Sequence, residues 1–205
     1  MYQDILTIAV VTVFAFFAIY WMWFQGEVDG SRLIAKNSMK QQKFNIILVL
    51  VAAFIVKAIL AVKNEGYSVD ITCFRSWSET VFTGGLSHFY EGDVTDYPPG
   101  YMLVLWLVAA IRHLFNIDNY STTGLFMIKL FPMLFDLAAA YLIYVMAKKR
   151  FSEGMSLMLS TLYALNPAVV IDSSVWGQVD GVLCCMVLLT CYLFMEEKRI
   201  LKKSI

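Results

Sequence analysis

From residue 5 to residue 24 the chain runs twenty residues without a charged side chain, and further apolar stretches follow at about 44–62, 125–147, 155–171 and 182–195. This pattern leaves few folds open. A helix crosses the hydrocarbon core of a bilayer with about 20 apolar residues. In lipid every backbone N–H and C=O must be satisfied within the protein, so such runs fold as helices. Hydrophobic residues make up 60% of the sequence, above the roughly 45–50% of a soluble domain. The expected fold is all-α: a polytopic membrane helical bundle, read as a single membrane domain over 1–205.

The placement of charge gives the expected topology. Basic residues favour the cytoplasmic side. They gather in the linker 25–43 (Arg32, Lys36, Lys40, Lys43), in Lys148-Lys149-Arg150 and in the tail 196–205. A further apolar stretch, 99–115, is short and carries Arg112 and His113 near its end. If it crossed the membrane, residues 148–150 would fall outside. If it lies along the interface, five spans remain, at 5–24, 44–62, 125–147, 155–171 and 182–195, with an external N-terminus and an internal C-terminus. Loop 63–124 is then extracytoplasmic, with two interfacial helices near 70–83 and 99–115, and segment 172–180 lies on the same side. No basic n-region precedes Ile5, so a cleaved signal peptide is not expected. Sixteen basic and sixteen acidic residues cancel, and no nucleic-acid partner is expected.

Most polar chemistry sits in the loop. Between Asp70 and Phe82, Ile71, Phe74, Trp77, Val81 and Phe82 recur at helical spacing, which predicts an amphipathic helix ended by Gly84-Gly85, its apolar face down on the membrane. Asp70 stands at its start. It fits a helix N-cap first, and compatibly with that a general base that takes a proton from an acceptor hydroxyl. Asp96-Tyr97-Pro98-Pro99 is a turn, with proline placed for the first turn of the next helix. The island from Asp172 to Asp180 fits an ordinary loop or a set of polar groups facing a cavity. Lys57 and Lys129 lie near block ends and are expected to snorkel. Asp136 is deeper and calls for a partner, with Lys129 two turns away as a candidate, most simply in a structural pair between helices. Asn119-Tyr120-Ser121 is a formal glycosylation sequon, and His88 and His113 show no metal-ligand spacing.

Taken in order, several of these features resemble the GT-C integral-membrane glycosyltransferases. They are Asp70 at the start of the first large external loop, Arg75 and Trp77 five and seven positions on, and Asp96-Tyr97-Pro98-Pro99 leading into an apolar helix. Asp136, the basic turn, Leu165-Asn166-Pro167 and the segment from Ile171-Asp172 to Asp180 continue the pattern. The likeness covers about residues 44–195 and is strongest to the lipid-linked-oligosaccharide glucosyltransferases that use dolichyl-phosphate-glucose, with protein O-mannosyltransferases more distant. It implies an inverting hexosyltransferase that moves a sugar from a polyprenyl-phosphate donor to an acceptor hydroxyl at the extracytoplasmic face. On that likeness Asp70 is the catalytic base, and Arg75, Trp77, Asp96, Tyr97, Gln178 and Asp180 lie on the substrate side. Spacing around Gln178 and Asp180 is one residue longer than in the glucosyltransferases.

The implied partners are the polyprenyl-phosphate-linked sugar, the bilayer, and a glycan, lipid or protein acceptor whose identity is open. No cofactor or metal is called for, although some members use a divalent ion. The membrane would be the cell membrane in a bacterium or the endoplasmic reticulum in a eukaryote. Family members are longer and have more spans, so the chain reads as an N-terminal portion or one half of a split enzyme, with a partner subunit supplying further helices. Two other functions fit the same residues: a non-catalytic membrane protein that binds lipid carrier or partner helices, and a small transporter built on Lys57, Lys129 and Asp136.

Overall fold

The computed structural model describes residues 39–92 and 97–203, with the side chains of 42–91 and 97–197. The expected span 5–24 and Asp96 lie outside these residues. All regular structure among the described residues is helical. It comprises α1 (Met39–Lys63), α2 (Ser68–Gly92), α3 (Pro99–Leu114), α4 (Thr122–Ala147), α5 (Glu153–Ala164), the short α6 (Pro167–Val170) that continues as a π-helical turn (Ile171–Trp176), and α7 (Asp180–Lys203).

Helices α1 and α4 are long and apolar enough to cross a membrane, and α5 with the α6–π segment makes a third candidate span bent by 47°. The bend follows from sequence. Leu165 ends α5, the Asn166 side chain accepts from the Ala168 N–H, and Pro167 opens the next helix. Proline restricts the residue before it to extended backbone, so the 155–171 run cannot continue as one straight helix. The expected single span is therefore two helical pieces.

Three clusters fix the height of these elements against one another. Ile46, Tyr144 and Leu157 pack at one end. Ala53, Ala140 and Ala164 meet in the middle, where small side chains let backbones approach and Ser160 Oγ donates to Ala140 O at 2.8 Å. Leu60, Val170 and Val175 pack toward the other end. Thus α1 rises, α4 descends and the bent α5–π element rises beside them. Helix α7 begins at Asp180, next to the π-helical turn in sequence, and farther along it Glu196 bonds Lys149. The outward face of α1 carries Phe44, Ile47, Leu48, Val51, Ile55, Ile59 and Val62, all exposed, whereas Lys57 on its inner face is fully buried. Apolar outside and polar inside is the arrangement expected when the surrounding solvent is lipid.

The second core lies at the loop end. Phe74, Trp77, Val81 and Phe89 of α2 pack against Tyr101, Met102, Leu105 and Val108 of α3, and against Leu125 and Ile128 of α4. The apolar face predicted for residues 70–83 is thus covered by α3 and α4 rather than laid on the membrane. Its packing partner α3 turns Leu103, Trp106 and Leu107 outward instead. Each fully buried side chain of this size contributes about 1.5–3 kcal/mol, so the helix is held by protein contacts. The break expected at Gly84-Gly85 falls at Gly85, whose φ of 76° and ψ of 167° interrupt α2 before helix resumes to Gly92. Helix α3 begins at Pro99 as expected; its sixteen residues reach about 24 Å, short of a bilayer core.

The turn into α4 is tight. Ser121 caps it by accepting from Gly124 N–H at 3.0 Å, and a Cβ on Gly124 would stand 2.4 Å from Asp118 O. Gly124→Ala must displace backbone. It is expected to cost about 1–3 kcal/mol, read as a lower melting temperature in detergent. An unchanged melt would show that residues 118–121 move aside freely.

Candidate functional site

Asp70 lies in the first turn of α2, two residues inside its start, so it is not the cap residue. An acid there still meets the positive end of the helix dipole. Its side chain reaches across the chain. Trp176 Nε1 donates to Asp70 Oδ2 at 3.0 Å, and Gln178 Nε2 donates to the same oxygen through a short bond. The Tyr97 hydroxyl donates to Gln178 Oε1 at 3.0 Å. Chemistry fixes the amide orientation: an ionised carboxylate only accepts, so it takes the N–H group and leaves Oε1 for the tyrosine. Among the described residues Asp70 Oδ1 has no hydrogen-bond donor. The carboxylate is half-buried and Trp176 is 46% exposed, so the site opens outward.

Aromatic packing places Tyr97. Its ring stands 5.5 Å from Phe74, 5.4 Å from Trp77 and 5.7 Å from Tyr101, and its carbonyl accepts from Tyr90 Oη at 3.1 Å. Trp77 is only 8% exposed and acts here as a wall behind Tyr97, not as an open contact surface. Tyr101 is 5% exposed, and burial pushes its hydroxyl pKa up.

The other predicted residues part company. Arg75 is five positions after Asp70, about 140° around the helix. Its guanidinium lies over the Tyr120 ring at 5.2 Å and its carbonyl accepts from Asn119 Nδ2 at 3.2 Å, so it faces the 118–121 turn. Asp180 is exposed in the first turn of α7. The buried Arg112 bonds Glu79, whose other oxygen is 2.9 Å from His113 Nε2, with His113 stacked on Phe82 at 4.5 Å. This cluster ties α2 to α3. An open apolar groove of about 610 Å³ between α1 and α4, lined by residues including Ile59, Val62, Thr123 and Phe126, contains none of the predicted site residues. Among the described residues, no three His, Cys, Asp or Glu side chains gather as a metal set.

The bent segment that supplies Trp176 and Gln178 is fastened from below by two lysines. Lys57 Nζ lies 2.7 Å from Asp136 Oδ2 and also donates to Ser173 Oγ at 3.0 Å and Val169 O at 3.1 Å. Lys129 Nζ donates to Asn64 O, Ser174 O and Val175 O at 2.7, 3.1 and 3.3 Å. Both lysines are fully buried. They turn inward, against the expected snorkelling, and the partner of Asp136 is Lys57 rather than Lys129, whose ammonium is taken up by three carbonyls. Gly177 closes the turn with φ 93°, where a Cβ would come within 2.8 Å of Ile71 Cδ1. Trp176 lies within the polar island from Asp172 to Asp180, but no local sequence signal marks it out as a partner of Asp70.

No protein-family model matches the chain, and no solved structure matches it. Among curated proteins it is similar to GPI mannosyltransferase 1 of Saccharomyces cerevisiae, with 27% identity over 125 residues. That match takes in 58% of this chain and 28% of the yeast protein's length, so the chain spans little more than a quarter of the relative. The likeness is distant and coarse: a glycosyltransferase-like membrane protein.

Proposed function

We propose that the chain carries the acceptor-activating part of an inverting membrane glycosyltransferase, with Asp70 as general base. The observation that carries this is the carboxylate itself. Trp176 and Gln178 anchor Oδ2, no donor among the described residues occupies Oδ1, and the group is half-exposed at one end of an apolar bundle. In the step, the acceptor O–H gives its proton to Asp70 Oδ1 as its oxygen bonds to the anomeric carbon. The bond from that carbon to the phosphate oxygen breaks, and polyprenyl phosphate leaves with the electron pair. Attack from the face opposite the phosphate inverts the centre. Phosphate needs little protonation to leave, so a base helps more than an acid. The donor is a polyprenyl-phosphate hexose. Mannose is the first sugar to test, because the yeast relative is named a mannosyltransferase. The work is done at the extracytoplasmic face by a chain of five spans, with α7 among them.

A second reading has its own support. Since the match covers 28% of the yeast protein, a lipid-carrier-binding or accessory role without turnover fits the same likeness. Membranes containing the chain, given radiolabelled polyprenyl-phosphate mannose or glucose and a mixture of glycolipid acceptors, separate the two. Labelled product above empty membranes supports transfer. Retained donor with no product in any acceptor fraction supports binding alone.

A further inference from the structure

We infer that Lys129 is a positioning residue for the Asp70 site, holding the donors of Asp70 in place through the backbone of the π-helical turn. This rests on the transferase reading only for its effect on rate. A helix end leaves its last carbonyls without intrahelical partners, and buried carbonyls need some. Here the turn ending at Trp176 shows where they go. Asp172 O takes the N–H groups of Gly177 and Gln178, both at 2.9 Å. Trp176 O takes the N–H of Tyr67 at 2.9 Å. Ser174 O and Val175 O are taken by the Lys129 ammonium, which also holds Asn64 O.

A cation beneath a helix C-terminus meets the negative end of the dipole. Lys129 thus joins the exit of α1 to the exit of the bent segment. Above that joint stand the two side chains that grip Asp70, Trp176 and Gln178. The joint has no slack. A Cβ on Gly66 would lie 2.7 Å from Trp176 O, and one on Gly177 would lie 3.3 Å from Lys129 Cε. A methionine at 129 fills most of the same space and leaves Ser174 O and Val175 O without this donor, so the turn must move to find another. Gln178 and Trp176 move with it. Misplacement on the order of 1 Å lowers a rate by about 100-fold, which sets the scale of the expected loss.

The test reads geometry apart from activity. Indole N–H resonances are recorded on the chain of residues 1–205 in detergent with ¹⁵N-labelled tryptophan, Trp176 and Trp77 being assigned by Trp→Phe variants. A bond to a carboxylate sets the Trp176 resonance, and Asp70→Ala gives its unbonded position. In Lys129→Met the Trp176 resonance is expected to move toward that unbonded position while Trp77, in the aromatic core, stays. A Trp176 resonance that stays at its wild-type position overturns the proposal. If Lys129→Met fails to fold, Lys129→Gln decides, because its shorter side chain has two N–H donors and cannot hold all three carbonyls. Movement of Trp176 with Trp77 fixed supports positioning. No movement, or movement of both together, overturns it. Transfer is assayed separately on the same preparations: a wild-type chain without transfer sinks the glycosyltransferase reading and leaves the resonance result standing.

Discussion

Asp70→Asn is expected to lower sugar transfer by about 10²–10⁴-fold, the range a positioned general base supplies, while protein level and melting temperature stay near wild type. The asparagine oxygen can still accept from Trp176 Nε1 and Gln178 Nε2, which now converge on the carboxylate, and the side chain keeps its volume in the first turn of α2. What it cannot do is take up the acceptor proton. Asp70→Ala removes both roles and leaves two donors without their acceptor, so a stability loss should accompany its loss of rate. The separation between these variants is the informative part. Initial rates in membranes, normalised to protein, supply it. If Asp70→Asn keeps its rate within about tenfold of wild type, the carboxylate is structural and the base lies elsewhere.

Much of this site follows from sequence, and the part that does not has a definite physical reason. The opening of α3 at Pro99 and the break at Gly85 both come from local backbone chemistry, and both fall where the residues indicate. Asp70 is conspicuous as an acid at the start of an amphipathic stretch between apolar runs. Its partners are not conspicuous in that way: Trp176 and Gln178 stand 106 and 108 positions away, and nothing local to Asp70 points to them. The two lysines are harder still. A lysine near the end of an apolar helix ordinarily extends to the interface, where water supplies its bonds. Here a second segment bends back at Asn166-Pro167 and presents its own carbonyls at that depth. The Asn-Pro pair is the local signal for the bend, but hydropathy across 155–171 is strong enough to make one straight span look natural. The apolar face of α2 shows the same limit. Periodicity identifies which face is buried, and the covering element, α3 rather than lipid, depends on a tertiary contact.

Breaking the Lys57–Asp136 pair on one side only is expected to be the most destabilising change in the bundle. Both side chains are almost fully buried, at 0% and 2% exposure, between α1, α4 and the bent segment. Taking either charge out of water is costly, and their attraction together with the bonds to Ser173 and Val169 offsets that cost. Asp136→Ala leaves an ammonium bonded to two neutral acceptors, and Lys57→Met leaves the buried Asp136 carboxylate without its cation. Each is expected to cost about 3–5 kcal/mol. The double variant Lys57→Met/Asp136→Ala removes both charges together and should cost less than either single change, because no ion is then stranded. This follows from the physics of burial and does not depend on any catalytic role. It also separates the pair from Lys129, whose three partners are all carbonyls, so that neutralising it strands no opposite charge. Thermal melts of the four proteins in one detergent read the cycle directly. If the two single losses simply add in the double variant, the ions are not coupled, and the bend at residues 165–167 must be held in place by packing alone.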